Sequence, residues 1–102
     1  MFQIIKVRGQ SMAPTFQDGD YILARRITKP NYKFKIGNIY LIDHIDLGLI
    51  IKRLDQETAD GRLIVSGDNP VSNSGDILGR IDKTRVRARA LLKISSKGTR
   101  RL

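Results

Sequence analysis

Ser11 opens the run Ser11-Met12-Ala13-Pro14-Thr15, and Lys52 closes the apolar run Leu49-Ile50-Ile51. The serine falls in a Gly-, Pro- and polar-rich turn between two strand-like segments, where a hydroxyl is presented rather than packed. The lysine ends a stretch of Leu and Ile that disfavours its ammonium form. A free lysine has a pKa of about 10.4; lowering it by about two units costs roughly 3 kcal/mol and makes a usable base. A serine hydroxyl is a poor nucleophile until such a base takes its proton. The two residue types together predict Ser-Lys nucleophilic chemistry. Arg53 follows Lys52, and neighbours on a strand take opposite faces. With Lys52 inward, Arg53 stays solvated; the reverse assignment fits the alternation equally.

Blander roles exist for each residue. Ser11 can be a simple turn former, and Lys52 can run its stem along the core with its head in water. Asp18, Asp20 and Asp68 suit turns. His44 offers a Ser-His-Asp alternative with Asp43 or Asp46, but Asp43 on a strand points away from its neighbour. A single histidine and no cysteine argue against a zinc site, and no metal or cofactor is expected.

The elements that must position these groups are mostly of period two. Strands are predicted over Phe2 to Val7, Tyr21 to Ile27, Asn38 to Ile45, Leu47 to Leu54 and Arg62 to Ser66. Asp18-Gly19 and Asp60-Gly61 mark tight reversals, and Asp46-Leu47-Gly48 joins a hairpin. Gly67 to Gly79 is a long polar loop of the kind that carries function. In the last strand Val86, Ala88, Ala90, Leu92 and Ile94 alternate with Arg85, Arg87, Arg89 and Lys93, a core face against a basic stripe. Ser95 to Leu102 reads as a flexible basic tail. Short strands with turns between them predict an all-β, mostly antiparallel barrel or sandwich with open edges.

At 102 residues the chain makes one domain, 1–102. No apolar run approaches the roughly 18 residues of a membrane span, and Met1 to Gly9 lacks the apolar core of a signal peptide. A cytoplasmic protein is expected, with a membrane-peripheral one or a trimmed domain of an anchored protein as alternatives. The net charge of +9 favours contact with nucleic acid, anionic lipid or acidic protein. The six aromatic residues do not interleave with the basic ones in an RNA-binding signature. Arg85, Arg87 and Arg89 read first as a solvated strand face, with contact to an acidic partner or membrane surface as a secondary expectation.

Three blocks, in order, resemble the type I signal peptidases and the LexA-type autopeptidases. The first is Gly9 to Thr15 with Asp18-Gly19-Asp20-Tyr21-Ile22-Leu23 after it. The second is Phe34-Lys35-Ile36-Gly37-Asn38-Ile39-Tyr40, leading to Ile50-Ile51-Lys52-Arg53-Leu54. The third is Ser66-Gly67-Asp68-Asn69-Pro70 with Ser72 to Gly79. The resemblance implies an open β-barrel of the LexA and signal-peptidase kind. It also implies a serine endopeptidase with Ser11 as nucleophile, Lys52 as general base and Ser72 orienting the lysine. Backbone N–H groups of Ser11 and Gly9 would form the oxyanion hole, and Met12 and Pro14 would shape the cleft. The substrate would be an extended peptide or leader with small residues near the cut. Where the family has an Asp-Ser-Arg run, this chain has Ser74-Gly75-Asp76, without that ion pair. The large inserted domain of bigger signal peptidases is missing too. The chain is similar to minimal soluble members such as nickel superoxide dismutase maturation proteases. A self-cleaving regulator, an inactive descendant and a non-catalytic basic β-barrel binding nucleic acid are the rival expectations.

Overall fold

The computed structural model describes residues 1–71 and 78–102. Among these, seven strands form one antiparallel sheet: β1 (Phe2–Lys6), β2 (Tyr21–Arg26), β3 (Ile39–His44), β4 (Gly48–Glu57), β5 (Leu63–Ser66), β6 (Val86–Ser95) and β7 (Gly98–Arg101). Their order is β1-β2-β6-β3-β4-β5, with β7 also paired to β6. The path ends at β1 and β5 without closing, so the all-β expectation with open edges holds.

β3 lies at the centre and is buried on both faces, which is why Ile39-Tyr40-Leu41-Ile42 reads as an unbroken apolar run. Ile39 and Leu41 join Met12, Phe16, Ile22, Ala24, Ala88 and Ala90 in one cluster. Tyr40 and Ile42 join Leu54, Leu63, Val65, Leu78, Ile81 and Val86 in the other. The turn bearing Ser11 therefore closes the first face with Met12 and Phe16. The β2–β3 connection and the return to β6 close the second, with Tyr32 and Phe34 packed edge-on at 4.9 Å.

Two elements differ from expectation. β4 runs on to Glu57, because β5 takes over as its partner from Arg53 across an irregularity between Leu54 and Gln56. The segment expected as a flexible tail is largely strand. Gly98, at φ +115°, turns the chain back so that Gly98–Arg101 pairs with Leu92–Ser95, and the Leu102 N–H donates to the Leu91 carbonyl at 2.9 Å. A left-handed glycine makes this reversal without steric cost.

Candidate active site

The Ser11 turn is tied at its base. The Val7 N–H donates to the Asp20 carbonyl at 2.7 Å and the Gly19 N–H to the Val7 carbonyl at 2.9 Å. Inside that base, Asp18 Oδ1 accepts the Gly9 N–H at 2.7 Å. Above it the chain winds one tight coil, with Ala13 N–H to the Gln10 carbonyl and Phe16 N–H to the Met12 carbonyl at 3.1 and 2.9 Å. Ser11 sits at the start of this coil, half-buried, while Met12 and Phe16 anchor it at 2% and 0% exposure.

These placements bear on two residues singled out from the sequence. The Gly9 N–H is committed to the Asp18 carboxylate and is not offered to an oxyanion. Met12 lies beneath the turn, where its thioether fills the first cluster. Pro14 is exposed and, with Thr15, Arg53 and Lys93, edges an open groove of about 350 Å³.

Lys52 faces inward and is 6% exposed. It stands directly across from Tyr40 on β3, and shares its face of β4 with Ile50 and Leu54. Burial alone lowers its pKa below that of a free lysine. Among the described residues no carboxylate pairs with it, so nothing restores the ammonium lost to desolvation. The strand alternation that the sequence left open is thus settled with Lys52 in.

Arg53 takes the other face, but it is not merely solvated. Its Nε and Nη2 grip both oxygens of Asp68 at 2.8 and 2.7 Å, and Nη1 donates to the Gly37 carbonyl at 2.6 Å. Thr15 Oγ1 donates to Asp68 as well. The Arg53 guanidinium, helped by Thr15, holds the Asp68 carboxyl below the usual carboxylate range against the opposing cost of its burial. Next along, the Asn69 N–H donates to the Ser11 carbonyl at 3.0 Å and Nδ2 to the Gln10 carbonyl at 2.9 Å. Asp68 and Asn69 thereby staple the serine turn to the Lys-Arg end of β4.

Asp68 was read as a turn former and as part of the Gly-Asp-Asn block; its bidentate role escaped sequence reasoning because its partner lies fifteen residues away in chain. The available signal was the order of the blocks, with the Lys-Arg pair preceding Gly67-Asp68-Asn69. Ser72 and the Ser74-Gly75-Asp76 stretch lie outside the described residues.

Ser11 Oγ and Lys52 Nζ are not hydrogen-bonded to each other. His44 has a different occupation: Nδ1 accepts from the Asp46 and Leu47 N–H groups at 3.1 and 3.2 Å, and Nε2 lies 3.0 Å from the Leu78 carbonyl. It pins the β3–β4 turn, and Asp43 instead pairs with Arg87 at 3.1 Å and Arg85 at 3.9 Å. No triad forms.

Among the described residues no group of His, Asp and Glu is placed to hold a metal ion. Among the described residues no helix is long and apolar enough to cross a membrane. Comparison with known proteins agrees with the assembled blocks: the family model for peptidase S24-like proteins matches residues 2–91. Among curated proteins, none matches the chain. A serine turn, a Lys-Arg strand and a Gly-Asp-Asn loop drawn together by Asp68 and Asn69, within a family match of nearly full length, place the chain in the peptidase S24-like family.

Proposed function

We propose that the protein is a serine endopeptidase working through a Ser11-Lys52 dyad on extended peptide segments. The observation that carries this reading is the buried, carboxylate-free Lys52 on the strand stapled to the Ser11 turn. A lysine whose ammonium is destabilised by burial is neutral at lower pH than usual, and neutral amine is the form that accepts a proton.

In this mechanism Lys52 Nζ takes the Ser11 hydroxyl proton as Oγ bonds to the scissile carbonyl carbon. The carbonyl electrons move to oxygen, facing the Ser11 N–H, which has no acceptor among the described residues. Collapse of the tetrahedral species breaks the C–N bond, and Lys52 returns the proton to the departing amine. Water, deprotonated by the same amine, then attacks the acyl-serine and frees Ser11. Ser72 is assigned the orienting of Lys52 on resemblance alone.

The substrate has an edge to join. β5 pairs with β4 only from Arg53 onward, so Leu49 to Lys52 present an open edge on that side among the described residues. An extended peptide added there by main-chain hydrogen bonds leads directly to Lys52. Small residues near the cut are the preference that the family resemblance supports. A pool of random extended peptides, incubated with the protein and read by mass spectrometry, tests this. Discrete cleavage that falls by about three orders of magnitude or more in Ser11→Ala supports the dyad. Cleavage unchanged by Ser11→Ala refutes it.

A further inference from the structure

A second site lies across the sheet, away from the serine turn. Pairing registers place Phe2, Arg25, Arg89, Tyr40 and Lys52 in one row across β1, β2, β6, β3 and β4. Directly opposed residues share a face, so Arg25 and Arg89 stand side by side on it. Like charges in that position repel unless an anion lies between them.

Around this pair the β2–β3 connection folds over to form a cavity of about 300 Å³. Arg25, Arg26, Lys29 and Arg89 line it with Thr28 and Tyr32, and no acidic residue does. Arg89 Nε is buried there with no hydrogen-bond partner, the only such side-chain nitrogen or oxygen among the described residues. A buried guanidinium N–H left unpaired is costly, and in native folds its partner is normally supplied by something. The Tyr32 hydroxyl, in contact with Tyr40 at 3.2 Å, stays protonated because burial and that contact raise its pKa.

Elsewhere on the basic stripe, Lys93 donates to the Thr15 carbonyl and the other two arginines share a counter-ion. Arg85 and Arg87 both reach Asp43. The anionic contact expected from Arg85, Arg87 and Arg89 therefore narrows to Arg89, with Arg25 rather than its sequence neighbours as partner.

We propose that this cavity binds a phosphate group. Two guanidinium forks suit the tetrahedral oxygens of phosphate, and four cations without a carboxylate favour a dianion over a monoanion. The phosphate could be borne by a small compound or by a nucleic-acid backbone, since the recognised group is the same.

The test is titration with inorganic phosphate at constant ionic strength, followed by calorimetry and by the NMR signals of the arginine Nε–H groups. The proposal expects saturable binding that shifts the Arg89 Nε–H signal. Arg89→Gln should raise Kd at least tenfold, whereas Lys97→Gln, an equal loss of charge on the exposed β6–β7 turn, should stay within about twofold. Arg25→Gln, at an exposed side chain, gives the same loss as Arg89→Gln if the latter fails to fold. Absence of saturation, or equal losses in the Arg and Lys97 variants, reduces the effect to overall charge and overturns the proposal. A single-stranded oligonucleotide then separates the sources: a matching loss in Arg89→Gln assigns the phosphate to a nucleic-acid backbone, and an unchanged affinity assigns it to a small phosphorylated compound.

Discussion

Burial of Lys52 without a carboxylate partner has a thermodynamic signature. Its folded pKa lies below the unfolded value of about 10.4, so between the two the unfolded chain holds a proton that the native state lacks. Stability therefore rises with pH across that window. Lys52→Met should abolish cleavage yet stabilise the fold at neutral pH by about 1 kcal/mol, the usual scale of a single substitution. Urea unfolding should show that advantage shrinking as pH approaches about 10.4. Asp68 gives a pH slope of the same sign, in the acid range, but its ionised form stabilises the fold. Its folded pKa is depressed, chiefly by the hydrogen bonds from Arg53, so its contribution is present above the unfolded value of about 3.9 and fades as pH falls through the folded one. Asp68→Asn should cost about 2 kcal/mol at neutral pH, the range for hydrogen bonds to a charged group. The gap between this variant and the parent should close in acid, and turnover should fall with the loosened staple.

At the level of elements, the β6–β7 turn depends on Gly98, whose φ of +115° few other residues adopt and around which a Cβ would meet nothing. The penalty of Gly98→Ala is thus backbone strain alone, about 1 kcal/mol or more. Thermal unfolding should register it, and hydrogen exchange should speed up at the Gly98–Arg101 amides while β3 stays protected. Strands were legible where alternation was clean: Tyr21–Arg26 and Val86–Ser95 fall where period two and the turn residues put them. β7 was not, because Gly98-Thr99-Arg100-Arg101 has no apolar face to announce it and gains its order only from the edge of β6. Lys52 inward and Arg53 outward were undecidable for a related reason. Alternation fixes only that the two differ, and the choice comes from Tyr40 on one side and Asp68 on the other.

Across the whole molecule, the sheet separates two kinds of chemistry. One end gathers the serine turn, the Lys-Arg strand and the Asp68-Asn69 loop, three segments remote in sequence. The β2–β6 region gathers unpaired positive charge. The net charge of +9 hinted at the second without locating it, since charge counts say nothing of which arginines already have partners. The three blocks located the first, while its internal wiring needed the long-range contacts of the fold. Activation of Ser11 by Lys52 can be tested before any natural substrate is known. The measurement is the rate of acylation by a small activated ester, followed by intact mass and peptide mapping, as a function of pH. With Lys52 as the base, an acyl adduct on Ser11 should form faster as pH rises through a value below that of free lysine, and should be lost in Lys52→Met. Adducts elsewhere only, or the same Ser11 rate with and without Lys52, would contradict it.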